Sequence, residues 1–154
     1  MKTKVFLDTN VLVDFLLGRG PSYEAVCSIF QAARNGLLEA VVTTQSIIDA
    51  CYIIRKNDLE GFDRFRNCIS KMSGFINIDC IDASELMSAF SRYTGDFEDD
   101  AQFAHADSAF CDIVITSDRE FAKRCGGGTC IRFMTPLVFM ANAKSGMLIF
   151  TRNC

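Results

Sequence analysis

Three short runs in this chain are apolar at nearly every position: "KVFLD" at residues 4–8, "LLEAVVT" at 37–43 and "DIVITSD" at 112–118. A strand with one wet face alternates apolar and polar side chains, whereas a strand without alternation is covered on both faces. Each run is followed by helical periodicity, in "NVLVDFLLG", "SIIDACYIIRK" and "REFAKRC". Continuously apolar strands alternating with helices specify an α/β fold of three layers, α/β/α, around a central parallel sheet with right-handed crossovers. In such sheets function collects at the carboxyl ends of the strands.

The intervening segments carry helix signals. Gly20-Pro21-Ser22 is a break, with Pro21 suited to the first turn of the next helix. That helix, "SYEAVCSIFQAARNG", puts Ala25, Ile29, Ala32 and Ala33 on one face and stops at Gly36. The polar cluster Thr43-Thr44-Gln45-Ser46 supplies an N-cap. "DLEGFDRFRNCISKM" is amphipathic, and Arg64 and Arg66, like Arg55 and Lys56 before them, read as a solvated face. "GFINIDCI" is a further strand. "DASELMSAFSRY" opens with Asp82 and Glu85 in capping-box spacing. "DFEDDAQFAHADSAF" is a helix with an acidic start, and Gly126 to Gly128 turn the chain into "CIRFM". Thr135-Pro136 begins the last helix.

A chain of 154 residues is long enough for one domain that buries roughly 68–70% of its unfolded surface. With two prolines and no linker or repeat, we expect one domain over residues 1–145 and a C-terminal tail at 146–154. The "MKTK" start and the apolar stretch after it suggest a signal peptide, but Asp8, Asn10 and Asp14 interrupt that stretch and no small-residue cleavage site follows. No segment reaches the ~18 apolar residues of a membrane helix. The expectation is a soluble, cytoplasmic protein with no membrane partner.

The net charge of −3 gives no general pull towards nucleic acid, so such a partner requires a local basic patch or bound metal ions. The eight cysteines form no C-x-x-C pair and only one histidine accompanies them, which argues against zinc. Most lie in apolar periodic segments and read as buried reduced thiols, with Cys154 exposed. His105 reads as a surface or partly packed residue rather than a catalyst.

The carboxylates carry the chemistry. Asp8 closes the first strand, Asp49 lies about one turn into the helix after the second, and Asp118 ends "IVITSD". Asp96, Asp99 and Asp100 share one helix face by their i, i+3, i+4 spacing. Parallel strands bring these groups to one edge. Two carboxylates ~4 Å apart repel by about 4 kcal/mol at an effective dielectric near 20, and oxygen ligands of this kind suit Mg²⁺ or Mn²⁺. Such ions activate water for attack on a phosphodiester. The bland readings are an acidic first turn that complements the helix dipole, for residues 96–100, and a helix cap, for Asp118. Asp8 resists one, because a buried strand-end carboxylate is costly unless paired.

"VFLDTNVLVDFLL", "TTQSIIDACYIIRK", "DFEDDAQFAHADSAFCDIVITSD" and "REF" together resemble, in order and spacing, a PIN-domain nuclease of the bacterial toxin-like branch. The resemblance implies a five-stranded parallel sheet and cleavage of single-stranded RNA with Mg²⁺ or Mn²⁺. Residue by residue, it makes Asp8 the first metal ligand, puts Asp49 where the family carries glutamate, and makes Asp99 the third acid, supported by Asp96. Asp118 is the fourth acid, and Asn10 and Thr116 hold the ligands by hydrogen bonds. Asp100 departs from the family, which has a small residue there. The resemblance also implies a partner antitoxin protein and allows a homodimer. The alternative is a degenerate PIN domain that binds RNA or a protein without cutting. A haloacid-dehalogenase-like phosphatase needs a second Asp where Asn10 stands, and a response-regulator receiver needs an early acidic pair besides Asp79.

Overall fold

The computed structural model describes residues 2–57 and 61–145. Its elements alternate as β1 (Lys4–Leu7), α1 (Thr9–Leu17), α2 (Tyr23–Arg34), β2 (Glu39–Thr43), α3 (Thr44–Asn57), α4 (Gly61–Met72), β3 (Asn77–Asp79), α5 (Ala83–Arg92), α6 (Phe97–Ser108), β4 (Ile113–Ile115), α7 (Arg119–Cys125), β5 (Arg132–Met134) and α8 (Pro136–Lys144). The five strands form one parallel sheet in the order β3-β2-β1-β4-β5. This is the expected three-layer architecture. The tail at 146–154, with Cys154, lies outside the described residues.

The period-2 geometry of a strand sorts its side chains between two cores. Val5 and Leu7 of β1, with their β4 partners Ile113 and Ile115, point into a core shared with α1, α2, α3, α4 and α8. Phe6 and its partner Val114 point the other way, against Phe103, Phe121, Cys111 and Cys125. All four strand positions next to this pair are fully buried, which explains the lack of alternation in the sequence. The edge strands β3 and β5 span three residues each and are only part-buried, so "GFINIDCI" is mostly loop.

Local chemistry sets the helix ends. Thr43 Oγ1 accepts the Ser46 N–H at 3.1 Å and so caps α3. Asp82 and Glu85 form the expected capping box. Gly36 adopts φ +68° just past α2, the left-handed conformation that glycine tolerates best. Pro21 is not in the first turn of α2: Ser22 is the N-cap, so proline shapes the turn before it. At the end of α7 a Cβ on Gly126 would lie 2.5 Å from the Ala122 carbonyl oxygen, so the chain leaves this helix only with glycine there.

The thiols divide more finely than expected. Cys111 and Cys125 are buried, Cys27, Cys51 and Cys68 are half-buried and Cys80 is exposed, and all six are thiols outside any disulfide. Cys130 departs from the reduced-thiol expectation, because it is disulfide-bonded. His105 also differs: it is 5% exposed, with Nδ1 3.0 Å from Glu85 Oε2 and Nε2 3.6 Å from Asp79 Oδ2. Burial pushes the Glu85 carboxyl up, but the Ser108 hydroxyl, the Asp82 N–H and His105 outweigh it and hold Glu85 below its ordinary value. The network ties α5 and α6 to the end of β3. Among the described residues, no helix is long and apolar enough to cross a membrane.

Candidate active site

β1 turns directly into α1, so the strand-end residue Asp8 is also the N-cap of that helix. Its Oδ1 accepts the Thr9 N–H at 2.6 Å. Its Oδ2 accepts the Asn10 amide and the Thr116 hydroxyl, each at 2.6 Å. Thr116 follows β4, whose Ile115 is in register with Leu7, which is how residues 108 positions apart meet. Thr116 Oγ1 in turn accepts the Asp118 N–H at 2.9 Å, and Asn10 Oδ1 accepts the Ser117 N–H at 3.1 Å. Asp8 is 6% exposed. Burial pushes its carboxyl up to about 6 against the bonds from Thr116 and Thr9, and the charges of Asp99 and Asp118 push it further in the same direction.

Asp118 does cap a helix. Its Oδ1 accepts the N–H groups of Glu120 and Phe121 at 2.8 and 3.2 Å. Its other oxygen accepts no hydrogen bond among the described residues, so the cap leaves half the carboxylate free. Asp96 caps α6 in the same way, through Glu98 and Asp99 N–H. Asp99, on the first turn, receives a hydrogen bond from Arg124 on α7, and the same guanidinium nitrogen lies 3.7 Å from Asp96 Oδ2. Burial raises the Asp99 carboxyl, Arg124 offsets part of this, and Asp96 and Asp118 add to it.

Asp8, Asp99 and Asp118 therefore share one electrostatic neighbourhood at the carboxyl edge of the sheet. Asp49 has other partners: Gln45 Nε2 donates to its Oδ1 at 2.9 Å, and its charge raises the carboxyl of Glu98, which burial raises most. Asp100 breaks the expected common face. It is fully buried, accepting the Thr94 N–H and hydroxyl at 2.7 Å each and the Cys125 thiol at 3.6 Å. Successive helix positions are rotated by ~100°, so it points into the protein while Asp99 faces the edge.

The donors here fit a hard divalent cation by chemistry. Three carboxylates repel one another, Asp8 has no basic partner, and Asp99 and Asp118 each keep an oxygen without a hydrogen bond among the described residues. No three His, Cys, Asp or Glu side chains among the described residues close on a common point as a metal cage would. Mg²⁺ does not need such a cage, since it keeps several waters and takes one or two carboxylates plus substrate oxygens.

Beside this edge, between α3 and α6, lies a cavity of about 420 Å³. Ile81, Leu86, Phe97 and Ala101 form its apolar wall, and Asp49 and Glu98 its polar end. Gln102 also lines it and is 2% exposed; its Nε2 donates to Glu98 Oε1 at 3.2 Å, while its Oε1 has no hydrogen-bond partner.

Reading along the chain missed Arg124, Glu98 and Gln102. Arg124 carries no local signal, being 25 positions from Asp99. The i, i+4 pair Glu98–Gln102 was visible in principle, since that spacing puts an acid and an amide side by side on a helix.

The chain matches the PIN domain family over residues 4–120. No curated protein matches. Among solved structures, the fold is similar to that of Mycobacterium tuberculosis VapC20, described as a sarcin–ricin loop cleaving toxin, at 10% identity and a TM-score of 0.64, covering 83% of this chain and 98% of that one. It is also similar to a chain of a toxin–antitoxin complex from Klebsiella pneumoniae (19% identity, TM-score 0.61, 86% and 97% covered) and to PAE2754 from Pyrobaculum aerophilum (14%, 0.63, 94% and 99%). With three quarters of its length inside the family match and every strand of the sheet in place, the chain belongs to the PIN-domain family.

Proposed function

We propose that this protein is a metal-dependent endoribonuclease that hydrolyses phosphodiester bonds in single-stranded RNA, and that it is the toxin of a toxin–antitoxin pair. The observation that carries the reading is Asp8: a buried carboxylate at a strand end, held by three hydrogen bonds, without a basic partner and beside Asp99 and Asp118. Arg124 offsets part of the charge of Asp99, whereas the charged groups that act on Asp8 are the carboxylates of Asp99 and Asp118.

Asp8, Asp99 and Asp118 are the residues we assign to Mg²⁺ or Mn²⁺, with Asp49 able to join from the flank. Such an ion, when bound, supplies Lewis-acid stabilisation of phosphate charge and lowers the pKa of water. The protein's own residues do the positioning. Thr116 and Asn10 fix the orientation of Asp8, and Thr116 couples it to the backbone of Asp118. Asp96 and Arg124 hold Asp99. Replacing Thr116 by valine keeps the shape but leaves the Asp118 N–H without its acceptor. Loss of such an orienting contact costs about 10–100-fold in metal affinity or activity, measurable as cleavage rate against Mn²⁺ concentration.

The antitoxin partner is proposed by analogy with the toxin–antitoxin complex from Klebsiella pneumoniae, a chain of which shares the fold. A second reading, RNA or partner binding without cleavage, draws on Asp49, whose carboxylate is engaged by Gln45. The experiment that decides is incubation of a single-stranded RNA pool with purified protein and Mg²⁺ or Mn²⁺, with EDTA, and with Asp8→Asn. Cleavage that needs metal and is lost in Asp8→Asn establishes the nuclease. RNA that is bound and left intact under every condition rejects it in favour of the binding domain.

A further inference from the structure

We infer that the cavity between α3 and α6 is a guanine-binding subsite, seating one base of the RNA next to the carboxylate edge. This deepens the ribonuclease reading and rests on it for the polymer, though the cavity's own chemistry selects the base.

Two helices face each other across the cavity with the same device. On α3, Gln45 at i holds the carboxylate of Asp49 at i+4, with 2.9 Å between Nε2 and Oδ1. On α6, Gln102 at i+4 holds that of Glu98 at i, with 3.2 Å between Nε2 and Oε1. The hydrogen bond to Glu98 settles the orientation of the Gln102 amide, because the reversed amide would set two oxygens together. Its Oε1 is then a buried acceptor without a partner, in a residue that lines the cavity. Buried polar atoms are hydrogen-bonded as a rule, and one that is not points to a missing group.

Of the polar groups that line the cavity, Asp49, Glu98 and the Gln102 carbonyl are acceptors, while the Gln45 amide is turned to Asp49 and the Thr44 hydroxyl to the Cys80 thiol. No lysine, arginine or histidine lines it among the described residues. The opposite wall is carbon, with Phe97 stacked on Phe90 at 4.2 Å between ring centroids. A hard cation surrounds itself with oxygen on most sides, which this wall does not offer. A planar aromatic with hydrogen-bond donors on one edge meets both halves. Among the RNA bases, guanine alone presents two adjacent donors on its Watson–Crick edge, N1–H and the 2-amino group, the pair that a carboxylate accepts side by side. Adenine and cytosine put a ring acceptor next to their amino group, and uracil flanks its single N3–H with two carbonyls. Single-stranded RNA is read in this way, by stacking on aromatic rings and by hydrogen bonds to exposed base edges. The volume, about 420 Å³, falls within the range of small-ligand pockets. Glu98 adjoins Asp99 on the same helical turn, so a base held here leaves its backbone at the proposed cutting edge.

The test is NMR titration of the full-length protein, in EDTA, with guanosine, inosine and adenosine, on wild type and Glu98→Gln. Glu98 is exposed, and thermal unfolding of the variant checks that its fold is intact. Guanosine is expected to bind at least tenfold more tightly than adenosine, a difference of about 1.4 kcal/mol. Inosine, which lacks only the 2-amino group, falls between them, and Glu98→Gln removes the preference. Equal binding of the three, or no binding up to the solubility limit of guanosine, overturns the subsite. So does a Mn²⁺ titration that shifts the same resonances, is abolished by Glu98→Gln and leaves guanosine without effect, because the cavity is then a cation site. Sequencing the cut ends of an RNA pool separates the two proposals. Cleavage with no guanine enriched at a fixed position beside the cut rejects the subsite and keeps the nuclease. Selective guanosine binding without any cleavage keeps the subsite and rejects the nuclease.

Discussion

In EDTA, Asp8→Asn is expected to gain stability relative to the wild type as the pH rises from about 4 to about 6, and to lose RNA cleavage once metal is restored. The Asp8 carboxyl is raised from 3.8 to about 6 in the folded protein, mainly by burial. A group raised in this way contributes stability that is fully present below its unfolded value and is lost as the pH passes through its folded value. The full shift corresponds to on the order of 3 kcal/mol. Asparagine does not titrate, so the difference in melting temperature between variant and wild type grows across that window and is level above it. The absolute gain at pH 7 is smaller, about 1 kcal/mol or 2–4 °C, because one face of an asparagine amide opposes the donors Thr9, Asn10 and Thr116. The outer-shell contacts of a metal site are worth about 10–100-fold, so loss of the carboxylate itself should cost at least ~100-fold in rate. A difference curve flat from pH 4 to 7 would show that Asp8 carries no such burden.

Asp100→Asn is expected to have the largest effect on stability among the acidic residues of α6. Both oxygens of Asp100 accept hydrogen bonds in a fully buried site. Asparagine would turn one acceptor into an NH₂ group facing the Thr94 N–H or hydroxyl. Losing a hydrogen bond to a charged group costs about 1.5–3 kcal/mol and leaving a buried donor unpaired about 1–3 kcal/mol; with partial relaxation we expect roughly 3 kcal/mol in all, a fall of roughly 6–12 °C in melting temperature for a chain of this size. Asp96→Asn, by contrast, keeps a good N-cap acceptor and should cost only a few tenths of a kcal/mol. Parallel thermal melts of the two variants check the contrast. A fall of less than about 2 °C for Asp100→Asn would mean that its hydrogen bonds do not hold the loop between α5 and α6.

How much of this was legible differs from residue to residue for physical reasons. β1, β2 and β4 were readable because burial on both faces removes alternation, and Asp8 stood out as the polar residue that ends the first of them. The capping box at Asp82 and the cap at Thr43 are local and appear in the sequence at fixed spacing. The edge strands β3 and β5 have one covered side and three residues each, too short for periodicity to bound. Asp99 and Asp100 are adjacent and chemically identical, so spacing could not say which faces the sheet edge; that depends on Thr94, which approaches only after the loop has folded. Arg124 and Glu85 meet their partners across 20 to 25 positions, and nothing local records such a meeting. His105 sits between two alanines in an apolar stretch, and that setting was the available sign of its burial.

The first turn of α6 carries three acids in a row, Glu98 towards the cavity, Asp99 towards the sheet edge and Asp100 into the core. Their separate duties are set only by where the helix is counted from, which Asp96 and the Thr94 clasp decide. A single inserted or deleted residue between 94 and 98 would therefore rotate the whole set by one step. It would offer a carboxylate to each destination while assigning none of them correctly. This stretch should tolerate no change of length, so descendants of this chain would keep its frame.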